Sequence, residues 1–248
     1  DAYNVAVGFS AGENVTTGTN NTLIGGLSGD ALTTGARNTV LGYAALSADT
    51  TGQYSVAVGY GTLANQNFTG GEASYNTAVG YDAGNDVTTG TMNTLVGTLT
   101  GDALTTGSRN TAMGVSALSS EDTGSKNTAF GYASLGVLNY NGDGYNTAVG
   151  YEAGAAMTTG IQNTIIGGAA GDALTSGSFN TTLGYGSLSV EDTGGRNVAI
   201  GYEALRIQDS GADAYNVAIG MWSGKDVSSG VNNTLIGSLA GDNLTTGD

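Results

Sequence analysis

The sequence predicts an all-β fold, a parallel β-solenoid of 14 coils with a 17-residue period and a four-coil super-repeat. Three observations predict it. One motif, seen as Asn21-Thr22-Leu23-Ile24-Gly25, Asn76-Thr77-Ala78-Val79-Gly80 and Asn163-Thr164-Ile165-Ile166-Gly167, occurs 14 times. The residue after the anchor is Thr or Val in every copy, a composition that suits a strand. A 17-residue coil with two short strands is also too small to hold its own core, so it must stack on copies of itself.

The anchors are Asn4, Asn21, Asn38, Ser55, Asn76, Asn93, Asn110, Asn127, Asn146, Asn163, Asn180, Asn197, Asn216 and Asn233, Ser55 being the one departure. Their spacings run 17, 17, 17, 21, 17, 17, 17, 19, 17, 17, 17, 19 and 17. The extra residues follow every fourth coil, around Ala64 to Ser74, Gly136 to Gly144 and Arg206 to Ala214. The chain therefore reads as one repeat domain over 1–248, with super-repeats at about 4–75, 76–145, 146–215 and 216–248.

The residue three after the anchor is large and apolar throughout: Val7, Ile24, Leu41, Val58, Val79, Val96, Met113, Phe130, Val149, Ile166, Leu183, Ile200, Ile219 and Ile236. This column is expected to be core, with the Thr or Val column on the same face. A second apolar plug trades places. Val15, Leu32, Val87, Leu104, Met157, Leu174, Val227 and Leu244 lie eleven residues after their anchors, whereas Leu46, Leu63, Leu118, Leu135, Leu188 and Leu205 lie eight after theirs. Three coils of the latter kind carry Asp49, Glu121 or Glu191 at the later position. Glycines such as Gly18, Gly35, Gly52, Gly90, Gly107 and Gly124 are expected to close turns with positive φ. Asn in the anchor slot is expected to form a side-chain ladder that satisfies turn backbone groups. At about 4.8 Å per coil the whole stack would be roughly 65 Å long.

The residue two after the anchor, on the opposite face from the expected core column, is apolar as well: Ala6, Leu23, Val40, Ala57, Ala78, Leu95, Ala112, Ala129, Ala148, Ile165, Ala199, Ala218 and Leu235, with Thr182 the exception. Both faces of the strand therefore read as buried. A long stripe of Ala would leave an apolar patch on a lone chain, and its small side chains would let neighbours approach closely, so the stripe predicts lateral packing in threes. The chain opens in the first coil of a four-coil set and stops in the second coil of another, with no atypical polar repeat, which reads as a fragment of a longer chain.

Composition narrows the function. There is no Cys and no His, which excludes an imidazole triad, a thiol nucleophile, a disulfide framework and zinc bound by its usual ligands. A formal charge of -15 gives no electrostatic footprint for nucleic acid or anionic lipid, and no apolar run approaches the roughly 20 residues of a membrane span.

The string Asn-Thr-Ala-Val-Gly-Tyr-x-Ala-Gly or Ala-Leu, at Asn146 to Gly154 and with Val for Thr and Ile for Val at Asn197 to Leu205, resembles the head-type β-roll repeats of trimeric autotransporter adhesins and of chaperone-terminated phage tail fibres. The resemblance covers the whole chain. It implies a left-handed parallel roll, three chains side by side, and attachment at a cell or virion surface. The repeat here is longer than the usual adhesin-head repeat, and no stalk, anchor or chaperone domain is present in these residues.

Candidate sites follow from the inserts, which recur once per four coils and would project from one side. Asn67, Phe68, Glu72, Tyr140, Asn141, Asp143, Asp209 and Asp213 combine rings and polar groups suited to stacking on a sugar and binding its hydroxyls. Tyr3, Tyr75, Tyr145 and Tyr215 are expected to pack at the inserts' bases. Glu13 and Asp30 occupy one slot in adjacent coils and are the candidate Ca2+ ligands; Lys225 and Asp242 in the equivalent places would pair with each other, which argues against a repeated metal site. Glu121-Asp122 and Glu191-Asp192 read as solvated edges rather than a hydrolytic acid pair. Thr-Thr pairs such as Thr16-Thr17 raise ice binding, but the row fails at Asn67-Phe68.

The expected function is a non-enzymatic structural and adhesive fibre segment without a cofactor, from a phage tail or cell surface, binding a surface glycan or protein receptor as a homo-trimer. The alternatives are a self-assembling extracellular filament or matrix without a receptor and, behind it, an ice-binding solenoid.

Overall fold

The computed structural model describes residues 2–247. It is an all-β solenoid of 14 parallel strands, one per turn, with a period of about 17 residues. Two compact units divide it, one ending at Ser125 and the other beginning at Lys126. The first holds β1 (Val5–Val7), β2 (Thr22–Ile24), β3 (Thr39–Leu41), β4 (Val56–Val58), β5 (Thr77–Val79), β6 (Thr94–Val96) and β7 (Thr111–Met113). The second holds β8 (Thr128–Phe130), β9 (Thr147–Val149), β10 (Thr164–Ile166), β11 (Thr181–Leu183), β12 (Val198–Ile200), β13 (Val217–Ile219) and β14 (Thr234–Ile236). Pairing within each unit follows the motif register, as in Ala6↔Leu23 and Ile165↔Thr182. Each coil has one three-residue strand where two were predicted; the rest is built from turns. No helix among the described residues is long and apolar enough to cross a membrane.

The structure reverses the two faces of the strand. Its middle residue points inward: Leu23, Val40, Ala57, Ala78, Leu95 and Ala112 are buried in the first unit, and Ala129, Ala148, Ile165, Thr182, Ala199 and Ala218 in the second. Only Ala6 and Leu235, in β1 and β14, are incompletely covered. The stripe assigned to chain-chain packing is thus the interior of the coil. The expected core column faces outward instead, with Leu41 47% exposed and Met113 44% exposed in the first unit, and Leu183 47% exposed in the second. Apolarity could not separate the faces because both are apolar; the inward column is the one with the smaller residues, Ala in eight of the 14 coils.

Size also explains the four-coil beat. The position eight after the anchor runs Gly, Gly, Leu, Leu and repeats. It is left-handed in both forms, with φ of 58° at Gly84 and 50° at Leu63. That conformation costs Leu about 1–2 kcal/mol, and burying the side chain returns about 1.5–3 kcal/mol. Where the inward strand residue is large, the neighbouring eighth positions are Gly: a Cβ at Gly84 would lie 2.7 Å from Leu95 Cδ1 and one at Gly101 2.9 Å from Leu95 Cδ2. Where the inward residues of a coil and of the coil after it are both Ala, Val or Thr, as at Ala112 and Ala129, Leu fills the space. The column eleven after the anchor completes the interior, with Leu32, Leu104 and Leu174 fully buried.

The anchor ladder forms, through backbone groups. Asn21 Nδ2 donates to Gly35 O (2.9 Å), and Asn21 Oδ1 accepts from Asn38 N (3.0 Å). Asn146 repeats the pattern with Gly160 O (2.8 Å) and Asn163 N (3.0 Å). Ser55 is too short to reach a turn carbonyl, and Gln66 supplies the missing amide, donating to Ser55 Oγ and to Asp49 Oδ2 while accepting from Asn76 Nδ2. Gly18, Gly35, Gly90 and Gly107 do not have positive φ. They are glycine because any Cβ there would strike a backbone carbonyl of the next coil.

Candidate functional site

Two surfaces carry what the sequence offers for recognition. The first is the outward strand face. In each unit the first strand residue, Thr or Val, and the third, Val, Ile, Leu, Met or Phe, are exposed or half-buried in every coil, which makes a continuous apolar strip. Two residues past its end stand tyrosines. Tyr43, Tyr60 and Tyr81 form one ring stack, Tyr132 and Tyr151 a second, and Tyr185 and Tyr202 a third that ends edge-on against Trp222. Parallel register produces these stacks, since identical positions in successive coils lie about 4.8 Å apart. The neighbouring carboxylates Asp82, Glu152 and Glu203 push the phenol pKa values of Tyr81, Tyr151 and Tyr202 up.

Along the opposite edge, just before the anchors, pairs of equivalent residues meet by different chemistry. Tyr54 stacks on Tyr75 at 5.3 Å, while Lys126 sits 4.7 Å over the Tyr145 ring and Arg196 5.7 Å over Tyr215. Tyr75, Tyr145 and Tyr215, expected at the inserts' bases, are about half exposed and rest on the residue one coil before; Tyr3 is exposed too.

The second surface is the set of inserts. Phe68 is buried, not displayed: its amide donates to Asp49 Oδ1 (3.2 Å) and its ring fills the coil's interior. This corrects its assignment as a stacking residue, because the lone aromatic of that insert is drawn into the nearest apolar space. Asn67 is exposed and accepts from Thr50 Oγ1; exposed Glu72 caps its own turn by accepting from Gly70 N (2.9 Å). Tyr140 is half-buried against Gly142, and Asn141 is exposed. Asp143 and Asp213 are engaged in ion pairs with the preceding coil, Lys126 Nζ at 2.6 Å and Arg196 Nε at 2.7 Å. Asp143 and Tyr145 hold Lys126 well above its usual pKa, and Asp213 does so for Arg196, yet both pairs are solvent-exposed and add little stability. The eight predicted residues are thus spread over three separate inserts rather than gathered into one site.

At each insert the preceding coil buries a carboxylate. Asp49 accepts from Gly52 N (2.9 Å) and Gln66 Nε2 (2.7 Å), Glu121 from Gly124 N (2.7 Å), and Glu191 from Gly194 N (2.7 Å) and Ser210 N (3.3 Å). Burial pushes Asp49 and Glu191 above the ordinary carboxylate range despite these bonds. Glu121 and Glu191 are therefore not solvated edges; only the adjacent Asp122 and Asp192 face outward. Glu191, Asp192 and exposed Asp209 bring carboxylate oxygens within 4.8 Å of one another, a grouping the sequence hid because Asp209 lies in the insert.

Glu13 and Asp30 belong to no such group among the described residues. Asp30 is pushed up by burial first and by Glu13's charge after it. Asp102 and Asp172 show the same rise by burial with Asn85 and Ala155 in Glu13's slot, so the effect belongs to the Asp position and not to a shared-cation geometry. The threonine rows turn their hydroxyls to the next coil, as Thr16 Oγ1 to Thr33 O (3.1 Å) and Thr88 Oγ1 to Thr105 O (3.2 Å). Those hydroxyl protons are committed to turn chemistry. No pocket is present among the described residues.

Compared with known proteins, the chain matches no family model, no curated protein and no solved structure.

Proposed function

We propose that this chain is a non-enzymatic structural and adhesive fibre segment in which three copies lie side by side, their outward strand faces turned toward a shared axis. The single observation that carries the reading is the apolar strip itself. Each unit leaves seven consecutive coils with Val, Ile, Leu, Met or Phe at the third strand position on the surface, a patch longer than monomeric proteins expose without a partner. The packing argument first attached to the inward stripe transfers to this face with larger side chains. The resemblance to trimeric adhesin heads and tail-fibre repeats supports the same arrangement, as well as a place at a cell or virion surface.

Receptor contact falls to the inserts, whose exposed Asn67, Glu72, Asn141 and Asp209 offer hydrogen-bonding groups for a glycan or protein. The test is molar mass by light scattering at neutral pH, with and without chelator. A three-chain mass that survives chelation is expected, and Met113→Asp with Ile200→Asp should reduce it to one chain. A monomeric wild type would overturn the arrangement, open-ended growth would favour a filament, and turnover of a surface polysaccharide would overturn the non-enzymatic assignment.

A further inference from the structure

The tyrosine stacks have a chemistry that attachment does not use. Ring centroids lie 5.6 Å apart for Tyr43–Tyr60, 5.4 Å for Tyr60–Tyr81, 5.3 Å for Tyr132–Tyr151 and 5.6 Å for Tyr185–Tyr202, with interplanar angles of 16°, 10°, 12° and 16°. Every one of these rings is about half open to solvent, from 45% at Tyr202 to 59% at Tyr151. Each stack also contains one phenol followed in the chain by a carboxylate: Tyr81 by Asp82, Tyr151 by Glu152, Tyr202 by Glu203. A phenol that loses an electron becomes a strong acid, so an adjacent carboxylate that takes its proton eases the oxidation.

We propose that these ladders are oxidative modification sites, at which a peroxide-driven one-electron oxidant joins stacked tyrosines of neighbouring coils into intrachain dityrosine. The oxidant takes one electron from each of two rings. Their phenolic protons leave, one to the adjacent carboxylate where the pair has one and the other to water. The two radicals form a carbon–carbon bond between ring positions ortho to the oxygens. The ortho hydrogens then pass as protons through solvent to the phenolic oxygens as the rings regain aromaticity. Two phenols and one hydrogen peroxide thus give one dityrosine and two waters. Strand register holds the partners together beforehand, so coupling within the chain outruns encounter between chains. The product would tie successive coils covalently in a protein that has no cysteine.

The molecule contains its own comparison set. Tyr145 and Tyr215 carry a cation over the ring in place of a second phenol and should remain uncoupled. The experiment treats the whole folded chain with a peroxidase and hydrogen peroxide, follows dityrosine fluorescence, and maps linked peptides by mass. Expected are products two hydrogens lighter than their parts, joining 43 to 60, 54 to 75, 60 to 81, 132 to 151 and 185 to 202, in a chain that stays single on denaturing electrophoresis. Tyr151→Phe, which keeps the ring, should remove the 132–151 product and spare 185–202. Glu152→Gln should slow 132–151 and spare 43–60. The proposal fails if Tyr3, Tyr140, Tyr145 and Tyr215 are linked as often, if links join different chains, or if urea-unfolded protein gives the same pattern.

Discussion

Gly84 and Leu95 share one space: the carbon that alanine would place on Gly84 falls 2.7 Å from Leu95 Cδ1, and 3.1 Å from Leu63 Cδ2 on the other side. Glycine there is a packing requirement of the coils above and below as much as a turn requirement of its own. Gly84→Ala should destabilise the first unit by about 2 kcal/mol, combining left-handed strain with overpacking. Urea unfolding reads this out. Leu95→Ala added to Gly84→Ala should cost less than the two single changes summed, and strict additivity would show that the two residues do not compete.

Asn93 tests the anchor ladder. Its Nδ2 donates to Gly107 O and its Oδ1 accepts from Asn110 N, both at buried positions. Asn93→Ala strands a donor and an acceptor inside the coil and should cost about 2–4 kcal/mol. Asn93→Ser should fare little better, because the place of the Gln66 amide that completes the serine at position 55 is taken by Leu104 in the Asn93 coil. A serine variant as stable as wild type would show that the amide's two bonds are dispensable.

Acidification should stabilise the protein. Asp30, Asp49, Asp102, Asp172 and Glu191 all have folded pKa values raised by burial. Between the unfolded value near 4 and the raised folded values, the unfolded chain gives up protons that the folded chain retains, so stability falls as pH rises through that window. It is greatest at the acidic end of the window. Repulsion within a chain of net charge -15 acts in the same direction. Thermal midpoints at matched ionic strength should therefore be higher near pH 4 than at pH 7, and a fall on acidification to that point would contradict the burial of these carboxylates.

The two strand faces separate cleanly by mutation. Met113→Asp, on the outward face, should leave the fold of a single chain within about 0.5 kcal/mol while weakening self-association. Leu95→Asp places a charge in the interior and should prevent folding of the first unit. Circular dichroism and light scattering on the two variants distinguish the outcomes; equal loss of secondary structure in both would mean that the outward face is also needed by the lone chain.

Much of this was legible in the sequence. The anchor spacing alone located all the strands within a residue, because a parallel solenoid repeats its register literally. The direction of the faces was not, since Leu23 and Ile24 are equally apolar and only the cramped interior decides between them. Phe68 read as displayed because it sits in an insert, yet burial is the stronger pull on a lone phenyl ring. The grouping of Glu191 with Asp209 depends on how an insert folds back, which no period encodes. The tyrosine ladders were legible and missed: Tyr132 and Tyr151 share one slot of consecutive coils, and parallel register makes such slots touch.

The pairing of two glycines with two leucines at the eighth position turns the chain into a ruler with a coarse graduation. Excising one coil, such as residues 146–162, leaves Leu135 followed by Gly171 and removes Gly154, the glycine that lies between the Leu135 and Ile165 side chains. Excising residues 146–215 brings Leu135 to Gly224, the same neighbour it has now in Gly154. The length of this chain can therefore change smoothly only in whole sets of four coils, and each set added or lost carries its insert, its buried carboxylate and its stacked rings with it.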